Sequence, residues 1–118
     1  WPAEPPLRPS GGKARSASYS FCVGNAWRAA RYHCQGKNAL ARKYANLSLS
    51  GASSALRDNP KFYNIHLHLS LAAGIAHGRT AMEKCLKNAK RLSGKPNTHY
   101  EFEEVREVLE KRKLRDAF

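Results

Sequence analysis

Asn59-Pro60 and His77-Gly78 bracket the one strongly apolar stretch of the chain, and this constrains the fold more than any other feature. Asn is a favoured N-cap, and Pro fits the first helical position, where its missing N–H costs nothing. Glycine after a histidine is a helix stop. Between these signals Phe62, Ile65, Leu69, Ala72, Ala73 and Ala76 recur at helical spacing, and Leu67 and Leu71 widen the face. The spacing predicts a helix at the centre of the core. Thr80-x-x-Glu83 and Thr98-x-x-Glu101 read as capping boxes for two more helices. Met82, Cys85, Leu86 and Ala89 form the apolar stripe of the first, and Phe102, Val105, Val108 and Leu109 that of the second. Asn25 to Ser50 favours helix with a break at Gly36, so one bent helix or two helices are expected there. Its stripes are Trp27, Ala30, Cys34 and Leu40, Tyr44, Leu47, while Ser48 to Ser54 is weak helix and reads as a loop. No strand alternation, hairpin turn or repeat is present. The expected class is all-α: a basic extended N-terminal arm and bent helix, followed by a small three-helix C-terminal bundle.

The arm covers residues 1–21. Pro2, Pro5, Pro6, Pro9, Gly11 and Gly12 leave it no apolar periodicity, so it is expected to be extended, with few contacts to its own core. A basic helical segment, residues 22–57, and a small helical domain, residues 58–118, complete the expected organisation.

Charge is the second constraint. The 118 residues carry 21 Lys/Arg against nine Asp/Glu, a formal +12. Residues 1–61 hold ten Lys/Arg against Glu4 and Asp58, and no acid lies between Pro5 and Arg57. A domain facing only water mixes both signs, because a single-sign field repels itself. The run therefore points to a polyanionic partner. It also excludes an ordinary small-metabolite enzyme, so no small-molecule substrate is expected. Arg8 to Ser20 is Arg- and Ser-rich and acid-free, the composition of a transit peptide, which leaves open an import remnant or an RNA-touching arm. The chain begins with Trp1 rather than Met, as expected of processing or truncation. Cys22, Cys34 and Cys85 are odd in number and irregularly spaced, which suits a reducing compartment. No stretch approaches the roughly 18 apolar residues of a membrane span.

Catalytic constellations are missing from the pattern. His66-x-His68 places two rings on different sides of a helix, where zinc ligands want i, i+4 spacing or paired cysteines. These histidines are expected on a polar flank or against RNA. No phosphate-cradling glycine motif occurs, and no acid in the N-terminal half could orient a Cys/His pair. Glu101, Glu103, Glu104, Glu107 and Glu110 read as a helix face turned to solvent or to a protein neighbour. No enzyme activity, cofactor or metal is expected. Lys and Arg interleaved with Tyr19, Phe21, Trp27, Tyr32 and Tyr44 suit RNA, where cations meet phosphates and rings stack on unpaired bases. Trp27 and Tyr44 read as helix packing; Tyr19 and Phe21, in the arm, read as contacts. No helix-turn-helix for DNA is visible.

Phe62 through Gly78 resembles the F-R-x-L-W-I-x-R-I-N-A-A-A-R-x-H-G segment of the bacterial-type large-subunit ribosomal protein L-twenty family. Phe62, Ile65, Leu67, Ala72-Ala73 and His77-Gly78 stand in register without a gap. Arg57-Asp58 is similar to the family's R-D, Gly36 with Ala45-Asn46 to its G…A-N, and Leu86-Lys87-x-Ala89 to its L-K-x-A. The likeness spans residues 28–92. His66 stands where the family has Trp. The resemblance implies a structural constituent of the large subunit that organises ribosomal RNA beside neighbouring ribosomal proteins, with a long basic helix threading RNA and a small C-terminal helical domain. The arm and the divergence imply a mitochondrial ribosome. Gly24-x-x-Trp27, Asp58-Asn59-Pro60, Ala72-Ala73 and Met82-Glu83 resemble, with gaps, the N-terminal helical domain of YebC-like translational activators, which implies a regulator of translation instead. The candidate RNA contacts are Lys13 and Arg15 in the arm, then Arg28, Arg31, His33, Lys37, Arg42, Lys43 and Arg57, then Lys61, His77 and Arg79 around the central helix.

Overall fold

The computed structural model describes residues 16–58, 63–93 and 99–113. Among the described residues there are six helices: α1 Ser16–Cys34, α2 Asn38–Ser50, α3 Ala52–Asp58, α4 Tyr63–His77, α5 Arg79–Ser93 and α6 His99–Lys111. The fold is all-α. Asn59-Pro60, Phe62 and the Thr98 capping box lie outside the described residues, as do residues 1–15 of the arm.

α4 is the axis. Every residue from Leu67 to Gly74 is buried, so the helix is enclosed on all sides rather than along one stripe. One side meets Met82, Leu86 and Ala89 of α5, Phe102, Val105 and Val108 of α6, and Ala30 of α1. A second meets Ala26 and Ala29 of α1 and Ala45 of α2. At its start, Ile65 and Leu69 pack with Cys22 of α1 and Ala55 of α3. The three C-terminal helices are present, yet their core is shared with α1. The change of segment at residue 58 is a change of helix, not a change of core.

The basic segment is two helices. Gly36, at φ +79°, makes the left-handed turn between them, as Gly78 (φ +103°) does between α4 and α5. Ala26 and Ala29 on α1 pack with Ala45 on α2 as small buried residues that let the backbones approach. Ser48 Oγ donates to the Cys22 carbonyl at 2.6 Å. The buried stripe of α2 is therefore Ala41, Ala45 and Ser48, one position round from the expected Leu40, Tyr44 and Leu47. Leu40 and Leu47 are 38% and 37% exposed. Helical structure continues through the Ser48 to Ser54 stretch, interrupted only at Gly51.

Other expectations are also corrected. The arm does not run to residue 21, because Ser16 to Phe21 form the first turns of α1. Tyr19 packs beside Ile65 and Leu69, and its hydroxyl accepts from Asn64 Nδ2 at 2.7 Å. Phe21 lies against Gly51. Both rings are thus used within the fold. Thr80 sits inside α5, after the Gly78 turn, and Glu83 reaches Arg106 of α6 instead of the helix start. Glu104 is 2% exposed and belongs to the interior, not to a solvated face.

Candidate nucleic-acid interface

Because alanines take the inner faces of α1 and α2, the larger residues are displaced to the flanks of the hairpin. Tyr32 of α1 and Tyr44 of α2 meet there. Their rings stack with centroids 5.6 Å apart and planes 23° apart. Three cations surround the pair: Arg28 Cζ lies 5.1 Å and Lys43 Nζ 5.6 Å from the Tyr44 centroid, and Lys37 Nζ 5.8 Å from that of Tyr32. Both rings are half-buried, while Arg31, Lys37, Arg42 and Lys43 are exposed. At about 100° per residue, Arg42 lies on the opposite flank of α2 from Tyr44. The basic residues therefore occupy more than one side of the hairpin. Neither helix carries an acid.

The remaining candidates do not join this patch. His33 is buried, and its Nε2 donates to the Leu109 carbonyl at 3.0 Å, so it holds α1 to α6 rather than facing RNA. Its own carbonyl accepts from Arg112 at 2.7 Å, and the same guanidinium donates to Asn38 Oδ1 at 3.0 Å. Arg112 reaches them from a left-handed backbone position, φ +52°, just past α6. Arg79 is paired with Glu83 and Glu110, which neutralises it. Arg57 is exposed beside Asp58 at 3.8 Å. His77 is exposed at the end of α4. Lys13, Arg15 and Lys61 lie outside the described residues.

No protein-family model, curated protein or solved structure matches this chain.

Burial shifts the ionisable groups inside the fold toward their neutral forms. Burial pushes the Cys22, Cys34 and Cys85 thiols above their ordinary value, which suppresses the nucleophilic thiolate. His68 is buried beside Trp27, ring centroids 6.0 Å apart, and its Nδ1 donates to the Asn64 carbonyl at 2.8 Å. Burial lowers its pKa, so it is a neutral core residue and not an RNA contact. His66 is half-exposed and shifted the same way, by burial and then by Arg91. Among the described residues no three His, Cys, Asp or Glu side chains could hold a metal ion. The surface offers exposed cations and half-buried tyrosine rings on a hairpin whose two helices carry no acid. The cations were readable from the sequence. The pairing of Tyr32 with Tyr44 and the Arg112 clasp were not, because both depend on how separate helices are set against one another.

Proposed function

We propose that this protein binds ribosomal RNA through the outer surface of the α1–α2 hairpin and acts on the large subunit of a mitochondrial ribosome. The observation that carries the reading is the acid-free hairpin displaying Arg31, Lys37, Arg42 and Lys43 around stacked Tyr32 and Tyr44. Such cations displace counterions from phosphates, and their presence on several sides suits a protein lodged among RNA strands. As a structural constituent it would hold rRNA segments together, and no reaction belongs to this role.

One observation favours a second reading. The L-twenty plan separates a threading basic helix from the C-terminal domain, whereas here α1 and α2 fold back onto α4 and share its core. That compactness is closer to the helical domain implied by the YebC-like resemblance. A protein of that kind visits the ribosome as a regulator.

Sedimentation of organelle lysate through sucrose at rising salt separates the two. A structural constituent stays with the large subunit in high salt. A regulator co-sediments at low salt and washes off. A protein found only at the top of the gradient even at low salt would sink both readings.

A further inference from the structure

We propose that the Tyr32–Tyr44 pair is a stacking platform for unpaired bases, so that the hairpin selects single-stranded over duplex RNA. The proposal rests on the reading of this surface as RNA-binding and specifies its ligand. The two rings stack 5.6 Å apart and within 23° of parallel, so a base would extend the stack from an outer face. They are only half-buried, and they adjoin Leu40 and Leu47, which are among the described residues the exposed large hydrophobics. At about 100° per residue, Leu40, Tyr44 and Leu47 share one flank of α2. A duplex hides the faces of its bases and meets a protein through phosphates and 2′-hydroxyls, so it would use the cations and leave this apolar flank in water. An unpaired strand uses both, with bases on the rings and phosphates on the lysines.

The cations over the rings support the same assignment. Arg28, Lys37 and Lys43 sit 5.1–5.8 Å from the ring centroids. Cation–π contacts at exposed sites are weak and readily exchanged. An arriving base takes the place of a cation over the ring, and the displaced ammonium, on its flexible stem, moves to the adjoining phosphate. An acidic apolar peptide would also satisfy the charge, but it would leave the stacked ring faces unused.

The test uses the full chain, a fluorescent oligouridine and an RNA duplex of the same phosphate count. Base–aromatic stacking measured by substitution corresponds to roughly a 5- to 150-fold change in affinity. Tyr44→Leu should weaken oligouridine binding within that range, leave duplex binding unchanged and keep the salt slope. Tyr44→Phe, which retains the ring, should bind as the parent does. Tyr32→Leu serves as the second variant if Tyr44→Leu does not fold. On the unsubstituted protein, a 2-aminopurine placed in the single strand should be quenched on binding. Oligouridine affinity that survives loss of the ring, or an unquenched 2-aminopurine in bound RNA, overturns the platform while leaving RNA binding intact. Failure to bind either RNA at low salt, with or without capture of an acidic peptide, removes the underlying reading and this proposal together.

Discussion

His68 carries an imidazole into the interior of a protein whose surface is crowded with positive charge. It is 4% exposed, and burial holds its pKa below the ordinary 6.5. The folded state therefore keeps it neutral, while the unfolded chain binds a proton as pH falls past about 6.5. Because the unfolded state takes up more protons, stability is intact above that pH and is lost on acidification, by at most about 1.4 kcal/mol per pH unit for one group. Half-exposed His66 adds a smaller contribution of the same sign. Urea midpoints measured at neutral and mildly acidic pH should fall, and His68→Leu should flatten the dependence. An unchanged slope in that variant would place the proton uptake elsewhere. A neighbour on the same helix tests packing alone. Leu69 lies among Cys22, Ala55 and Ile65, so Leu69→Ala should cost about 2–5 kcal/mol in chemical unfolding. The periodicity of α4 identified Leu69 as core. It could not identify His68, since enclosure on a helix's second and third sides depends on partners distant in sequence.

Helix ends and stripes were read with uneven success, and the failures share a cause. Gly36 and Gly78 marked real boundaries, because a left-handed backbone position is a local requirement. The capping box at Thr80 failed because α5 begins at Arg79, just after the Gly78 turn, which leaves Thr80 inside the helix, and its acid pairs with α6 instead. Arg106 Nε donates to Glu83 Oε2 at 2.8 Å and its Nη2 to Oε1 at 2.9 Å, a bidentate pair that ties α6 to α5. That hydrogen bonding draws the Glu83 carboxyl below its usual range. Both side chains are partly exposed, so the pair is worth only about 0.5–1 kcal/mol. A double-mutant cycle on Glu83→Gln and Arg106→Ala should return a coupling of that size. A coupling near zero would mean that the pair does not tie α6 to α5. The stripe of α2 was misplaced for a related reason. Hydrophobicity favours Leu40 and Leu47 as inner residues, but close approach to the alanines of α1 selects Ala41, Ala45 and Ser48. Small residues win wherever backbone proximity, rather than side-chain area, sets the contact.

Charge is compensated unevenly among the described helices. Acids collect on α6, and Glu103 and Glu110 together with Glu83 of α5 pair with Arg79 and Arg106, while Lys84, Lys87, Lys90 and Arg91 of α5 are exposed. The cations of α1 and α2 have no acid on either helix. The excess visible in the acid-free stretch of sequence thus becomes a surface, and the fold places that surface around the tyrosine pair. Each phosphate neutralised contributes about 0.7–0.9 to the logarithmic salt slope. Charge reversal of Arg31 and Lys43 together should therefore lower the slope by about one to two and weaken RNA association at low salt. Lys111 and Lys113 are exposed past the acids of α6, on either side of the Arg112 that clasps the turn of the hairpin, and reversing them should change the slope less. Salt titrations of both double variants against one RNA decide the point. If the C-terminal pair proved the more damaging, RNA would lie against the end of α6, where Arg112 clasps His33 and Asn38. RNA would then be held at the closed end of the α1–α2 hairpin and not along its flanks, and the ribosomal reading would lose the electrostatic argument that carries it.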